Sequence, residues 1–288
     1  MPGTFSDSWK LTKTAFRLIR EDRALLIFPL VAGLSILGVL GLLALGMFWL
    51  ILPPLASGTL SNAYAALGVA LFLLAYFAMA FLSIYCTAAL VGAATLKLNG
   101  QQPTAADGWR VARSRVGRLL AWAILTATVG LLIQAISSRV RGVGGVLIAG
   151  IGGASWAVVT YFIIPVILYE DQGAWRSLSR SGKLFISTFG RSIVSNVVVG
   201  LLIAAGLFAG VVLVVVGALL LGTSLYLGIG VIVLGLAIGA VVVLIGSAAE
   251  GILRAALYRY ATTGKIVPDL LPSAYRSAQP LASSGSGP

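Results

Sequence analysis

The sequence predicts an all-α polytopic membrane protein with six transmembrane helices. They form three pseudo-repeated units, each an interfacial amphipathic helix followed by a transmembrane hairpin. Three observations predict this. Of the 288 residues, 59% are hydrophobic and 10% charged, whereas soluble domains carry about 25% charged residues. Several uncharged stretches exceed the roughly 20 residues a helix needs to cross a ~30 Å hydrocarbon core. A Trp followed directly by Lys or Arg opens three basic amphipathic stretches, at Trp9, Trp109 and Trp175, each ahead of an apolar run. None of the runs alternates as the strands of a transmembrane barrel must.

The first amphipathic stretch occupies 1–23. At helical spacing Phe5, Trp9, Thr12, Phe16 and Ile19 share a stripe, with Lys10, Lys13, Arg17 and Arg20 beside it. The first span follows at 24–52 and is expected to end at Pro53-Pro54. It starts too late, and runs too long, for a cleavable signal peptide. The second span is 63–96. The second amphipathic helix, 105–118, places Trp109, Ala112, Val116 and Leu119 on one stripe, with Arg110, Arg113, Arg115 and Arg118 alongside. The third span (119–136), a loop over 137–145 and a fourth span (146–169, with Pro165 near its end) complete the second hairpin. The third amphipathic helix, 172–190, has Asp171 placed to cap it. Trp175, Leu178, Gly182 and Phe185 form its stripe, and Arg176, Arg180 and Lys183 supply charge. Spans five and six are 192–221 and 226–249, the last continuing as helix through GILRAALYRYATTG. Residues 264–288, rich in Pro and Ser, read as a flexible tail.

Lys and Arg set the orientation. The segments predicted on the termini side hold 5 before the first span, 5 in 97–118, 4 in 176–191 and 4 after residue 249. The opposite side holds only Arg139 and Arg141. Both termini and all three amphipathic helices are therefore expected on the cytoplasmic face of the cell's inner membrane. The net charge of +12 is explained by this juxtamembrane clustering rather than by nucleic-acid binding, for which no separate soluble domain is available.

Catalytic chemistry finds little material. There is no histidine, and the single cysteine, Cys86, lies within an apolar run. No metalloprotease, nucleophile-elbow or phosphate-loop motif occurs. We expect no catalytic residue, metal or cofactor, and no enzyme activity. Glu250, late in the sixth span, could couple protons or cations, but Arg254 follows at the spacing of a helical ion pair. Gln134 and Asn196 are the intramembrane polar residues best placed to line a route. The glycines Gly206, Gly210, Gly228, Gly235, Gly239 and Gly246 read as close-packing positions between helices, within the chain or between protomers.

The opening SWKLTKTAFRLIREDRALLIFPL and the later AALYRYATTGKIV resemble segments of a bacterial and archaeal multi-pass membrane family catalogued only as a domain of unknown function. The resemblance runs from about Ser8 to Val267 and implies a six-helix membrane domain without catalysis.

Three functional readings remain open. The first is a non-catalytic scaffold, accessory subunit or lipid-interacting membrane component. Its basic helices, anchored by Trp9, Trp109 and Trp175, would engage anionic headgroups on the cytoplasmic side, and it would join another membrane protein or complex, or a second copy of itself. The second is a small-solute transporter or channel. The third is a membrane domain that assists a lipid-handling enzyme.

Overall fold

A computed structural model describes residues 23–59, 61–140, 142–189 and 194–263, with the backbone alone at 23, 187–189 and 194–203. Among the described residues all regular structure is helical. After a 3-10 turn (Arg23–Leu26), the helices are α1 (Ile27–Gly46), α2 (Leu52–Ala56), α3 (Asn62–Leu98), α4 (Ala105–Arg113) and α5 (Val116–Arg139). They continue as α6 (Val143–Val159), α7 (Ile163–Tyr169), α8 (Ala174–Phe189), α9 (Val194–Leu220) and α10 (Leu225–Thr263). Five stretches are long and apolar enough to cross a membrane: Ala24–Ala56, Asn62–Leu98, Val116–Arg139, Val143–Tyr169 and Leu225–Thr263.

Proline chemistry shapes two of these spans. Pro53-Pro54 does not end the first one. A π-turn over Met47–Ile51, in which the Leu52 N–H reaches back to the Met47 carbonyl, places both prolines in the first turn of α2. There their missing N–H groups leave no helical hydrogen bond unmade. The fourth span is not continuous as the sequence suggested. Pro165 cannot donate to the carbonyl one turn back and its ring crowds that turn, so the helix breaks between α6 and α7. The third and fourth spans meet in a tighter turn than the expected loop: α5 runs on to Arg139, and Gly142 adopts φ +72°. A Cβ on Gly145 would collide with the Ser137 and Val140 carbonyls, so glycine alone fits that corner.

The chain forms two compact units. One comprises Leu30–Gly92 and Ala105–Phe185. Its buried side chains include Val91 on α3, Ala112 on α4, Leu119 and Trp122 on α5, Val166 and Ile167 on α7, and Ser181 and Leu184 on α8. The other comprises, among the described residues, 23–29, 93–104, 186–189 and 194–263. In it α9 and α10 form an antiparallel hairpin. Burial concentrates at Leu25, Phe28 and the last third of α10, where Ala248, Ile252, Ala256 and Leu257 are covered and Arg259 donates to the Leu98 carbonyl.

Burial is uneven along the long helices. In α1, α3 and α10 it collects toward the end that carries Lys and Arg, while Leu34, Leu42, Val69, Leu74, Leu234 and Leu236 stay exposed. Hydrocarbon is as apolar as leucine, so these outer lengths need no protein partner.

Candidate functional site

In the unit that holds α3 to α8, the basic end is built around the start of α5. The expected 105–118 helix is two pieces. α4 stops at Arg113, the Ser114 hydroxyl donates to the Val111 carbonyl at 2.8 Å, and Arg115 becomes the residue before α5. α4 lies close on α3: a Cβ on Gly92 would come within 2.9 Å of Val111 Cγ1. The Trp109 ring stacks on Tyr85 at 5.5 Å, and Tyr85 on Phe81 at 5.7 Å. Trp109 is therefore held by aromatic packing within the protein. The sequence placed it among the headgroup anchors. Arg110 pairs with Asp107 at 2.9 Å, and Arg113 is exposed.

Arg115 and Arg118, three residues apart, point to one face at the first turn of α5. Both reach Asp171 in the short link between α7 and α8. Arg115 Nη1 donates to Oδ1 at 2.8 Å, and Arg118 Nη1 pairs with the same oxygen. Asp171 was expected to cap the third amphipathic helix; its carboxylate instead serves a different helix. The Arg118 guanidinium first, and Arg115 after it, hold that carboxyl below its ordinary value of 3.8. The folded value is depressed, so this tie stands intact above pH 3.8 and is lost only as pH falls through the lowered value. Next to it, Arg180 Nε donates to both Glu170 oxygens at 3.2 Å. Four of the predicted anchors, Arg110, Arg115, Arg118 and Arg180, are thus engaged by the chain's own carboxylates.

α8 turns back along the fourth span. Ser181, fully buried, donates to the Val159 carbonyl at 2.7 Å and accepts from the Phe162 N–H at 3.1 Å. One hydroxyl therefore satisfies two backbone groups at the break above Pro165. The buried stripe of α8 is Ser177, Ser181 and Leu184, one position off the predicted Leu178, Gly182 and Phe185. The predicted stripe follows the apolar side chains, whereas the observed one follows the backbone groups that need hydroxyls. Opposite it, Trp175 (72% exposed) and Ile186 (70%) face outward, beside exposed Arg176 and Lys183.

The remaining candidates scatter. Gln134 is exposed on α5 and lines no interior. The polar contacts between spans come from residues the sequence did not single out: Trp156 Nε1 donates to Thr126 Oγ1 at 2.9 Å, and Tyr76 OH to the Ala127 carbonyl at 3.3 Å. Glu250 pairs with Arg254 in the other unit. There α9 and α10 meet through glycine. A Cβ on Gly210 would lie 3.0 Å from the Gly235 carbonyl, one on Gly217 2.8 Å from that of Gly228, and one on Gly206 2.8 Å from Val242. Gly246 is buried, whereas a Cβ on Gly239 would meet nothing within 4 Å. Trp9, Lys10, Arg17, the tail 264–288 and the Asn196 side chain lie outside the described residues. Among the described residues no three His, Cys, Asp or Glu side chains gather to hold a metal.

A family model, described as a family of unknown function (DUF6159), matches residues 65–267. The matched stretch contains AALYRYATTGKIV and begins after the opening segment that also carried the resemblance. No curated protein and no solved structure matches the chain.

Proposed function

The chain belongs to that family of unknown function, and from this premise we propose that it is a non-catalytic membrane protein whose basic helices engage the anionic cytoplasmic leaflet. In this reading it crosses the inner membrane six times, with α9 as the remaining span, in three hairpin repeats, and it serves as a lipid-interacting scaffold or accessory subunit. Both termini are cytoplasmic.

The observation that carries the reading is the outward face of α8. With Ser177, Ser181 and Leu184 turned inward, Trp175 and Ile186 form an apolar edge, and Arg176 and Lys183 stand beside it. An aromatic and aliphatic edge flanked by cations suits the boundary between acyl chains and headgroups. Each basic residue near an anionic surface contributes about 1 kcal/mol.

The test uses cations that hold no carboxylate among the described residues. The triple variant Arg113→Glu, Arg176→Glu and Lys183→Glu, in the full chain, should lose association with phosphatidylglycerol vesicles about a hundredfold, on the scale of three such contacts. Association with phosphatidylcholine vesicles should be unchanged. Equal loss on both lipids, or none on either, would refute the reading.

A further inference from the structure

Two guanidinium groups converge on a single carboxylate oxygen at the first turn of a membrane-crossing helix. Arg115 Nη1 and Arg118 Nη1 both address Asp171 Oδ1, so two positive charges share one negative charge. Both arginines are rooted in or beside α5 and are about one-third exposed, whereas Asp171 is 73% exposed on the link between α7 and α8. The cations are therefore held in place, and the anion they hold already faces water. The N-terminus of α5 adds the positive end of a 24-residue helix to the same spot. Planar guanidinium forks match phosphate oxygens as well as carboxylates. A phosphodiester, moreover, offers two equivalent non-bridging oxygens where Asp171 offers Oδ1 to both donors. Releasing Asp171 costs little, because its carboxylate already faces water and an exposed ion pair holds only weakly.

We propose that Arg115 and Arg118 form a binding site for the phosphate of an anionic phospholipid headgroup, and that Asp171 is a built-in competing anion which the lipid displaces. The inference rests on the membrane reading above and assigns it a specific lipid class and a specific seat. Asp171 sets the threshold: the site fills only where the leaflet is rich enough in anionic lipid to outcompete a tethered carboxylate.

The full chain, purified in detergent and equilibrated with equal parts of phosphatidylglycerol and phosphatidylcholine, reports the site through the ratio of the lipids it retains. Asp171→Asn should raise phosphatidylglycerol retention about threefold to fivefold, the most that a weakly held competing carboxylate can withhold. Asp107→Asn changes the net charge equally away from the site and should raise it less than twofold. Adding Arg115→Gln and Arg118→Gln to Asp171→Asn should abolish the gain. Where that variant fails to fold, Arg115→Lys with Arg118→Lys keeps the charge, loses the planar forks, and should still remove most of it. Equal gains from Asp171→Asn and Asp107→Asn, or a gain that survives loss of the arginines, overturns the site. Inorganic phosphate that competes as strongly as the lipid assigns the site to free phosphate and overturns the lipid assignment. If Asp171→Asn is inert while the α8 triple variant still loses vesicle binding, the site falls and the broader reading stands. The opposite pattern leaves the site and removes that reading.

Discussion

At the scale of single residues, the same sequence motif has two structural outcomes. Trp109 and Trp175 each open a basic stretch, yet Trp109 stacks on Tyr85 and Trp175 is exposed. What separates them is Gly92, whose missing side chain lets α4 settle against α3. Ser181 shows a comparable dependence on context. It lies in a run of Ser, Arg and Lys and outside the predicted apolar stripe, yet its hydroxyl bridges the Val159 carbonyl and the Phe162 N–H. Ser181→Ala would leave both groups unsatisfied where water does not reach. We expect a loss of about 1–3 kcal/mol, read as a lower thermal unfolding temperature in detergent. Ser179→Ala, on the exposed face of α8, should leave that temperature unmoved. A matched effect of the two variants would contradict the bridging role.

Between elements, the α9–α10 hairpin is decided by which glycines face each other. Gly217 with Gly228, and Gly210 with Gly235, repeat at seven-residue spacing on antiparallel helices, so the backbones approach without side chains between them. Gly217→Ala would bring its Cβ to 2.7 Å from the Ile232 nitrogen and 2.8 Å from the Gly228 carbonyl. Neither backbone atom can step aside, and we expect destabilisation on the order of 1–3 kcal/mol. Gly239→Ala, with open space around its Cβ, should change stability by less than about 0.5 kcal/mol. Thermal unfolding of the two variants side by side tests this, and equal destabilisation would count against the pairing. The sequence passed over Gly217, because GxxxG spacing identifies a small-residue stripe without identifying every opposed member. Gly239 does lie against Gly210, its Cα 3.4 Å from a Cβ placed there, but its own Cβ would meet open space.

On the scale of the whole molecule, charge asymmetry governs how the chain is expected to sit. Lys and Arg cluster in the segments predicted on the termini side, and in each of α1, α3 and α10 side-chain burial collects toward the helix end nearest to such a segment. The proposed topology predicts that Ser114→Cys and Ser179→Cys, in a Cys86→Ser background, resist a membrane-impermeant thiol reagent in intact cells. Ser57→Cys, exposed between the first two spans, should react. Ser179 is the useful probe on α8, because Ser181 is buried and would resist labelling on either side. Labelling of Ser114→Cys and Ser179→Cys at unlike rates would break the single-leaflet arrangement of the amphipathic helices.

Composition and the length of the apolar runs were enough to determine a helical membrane protein. Water cannot accompany backbone into hydrocarbon, so long uncharged stretches have little choice but to satisfy their hydrogen bonds as helices. The approximate helix limits followed from the same runs. The lateral neighbours of each side chain did not. That Asp171 meets Arg115 and Arg118, that Ser181 seals the break above Pro165, and that Gly217 opposes Gly228 all join positions on different elements. Such pairings depend on helix rotation and on backbone groups left unpaired elsewhere. Local periodicity carries neither, so only the tertiary structure could decide them.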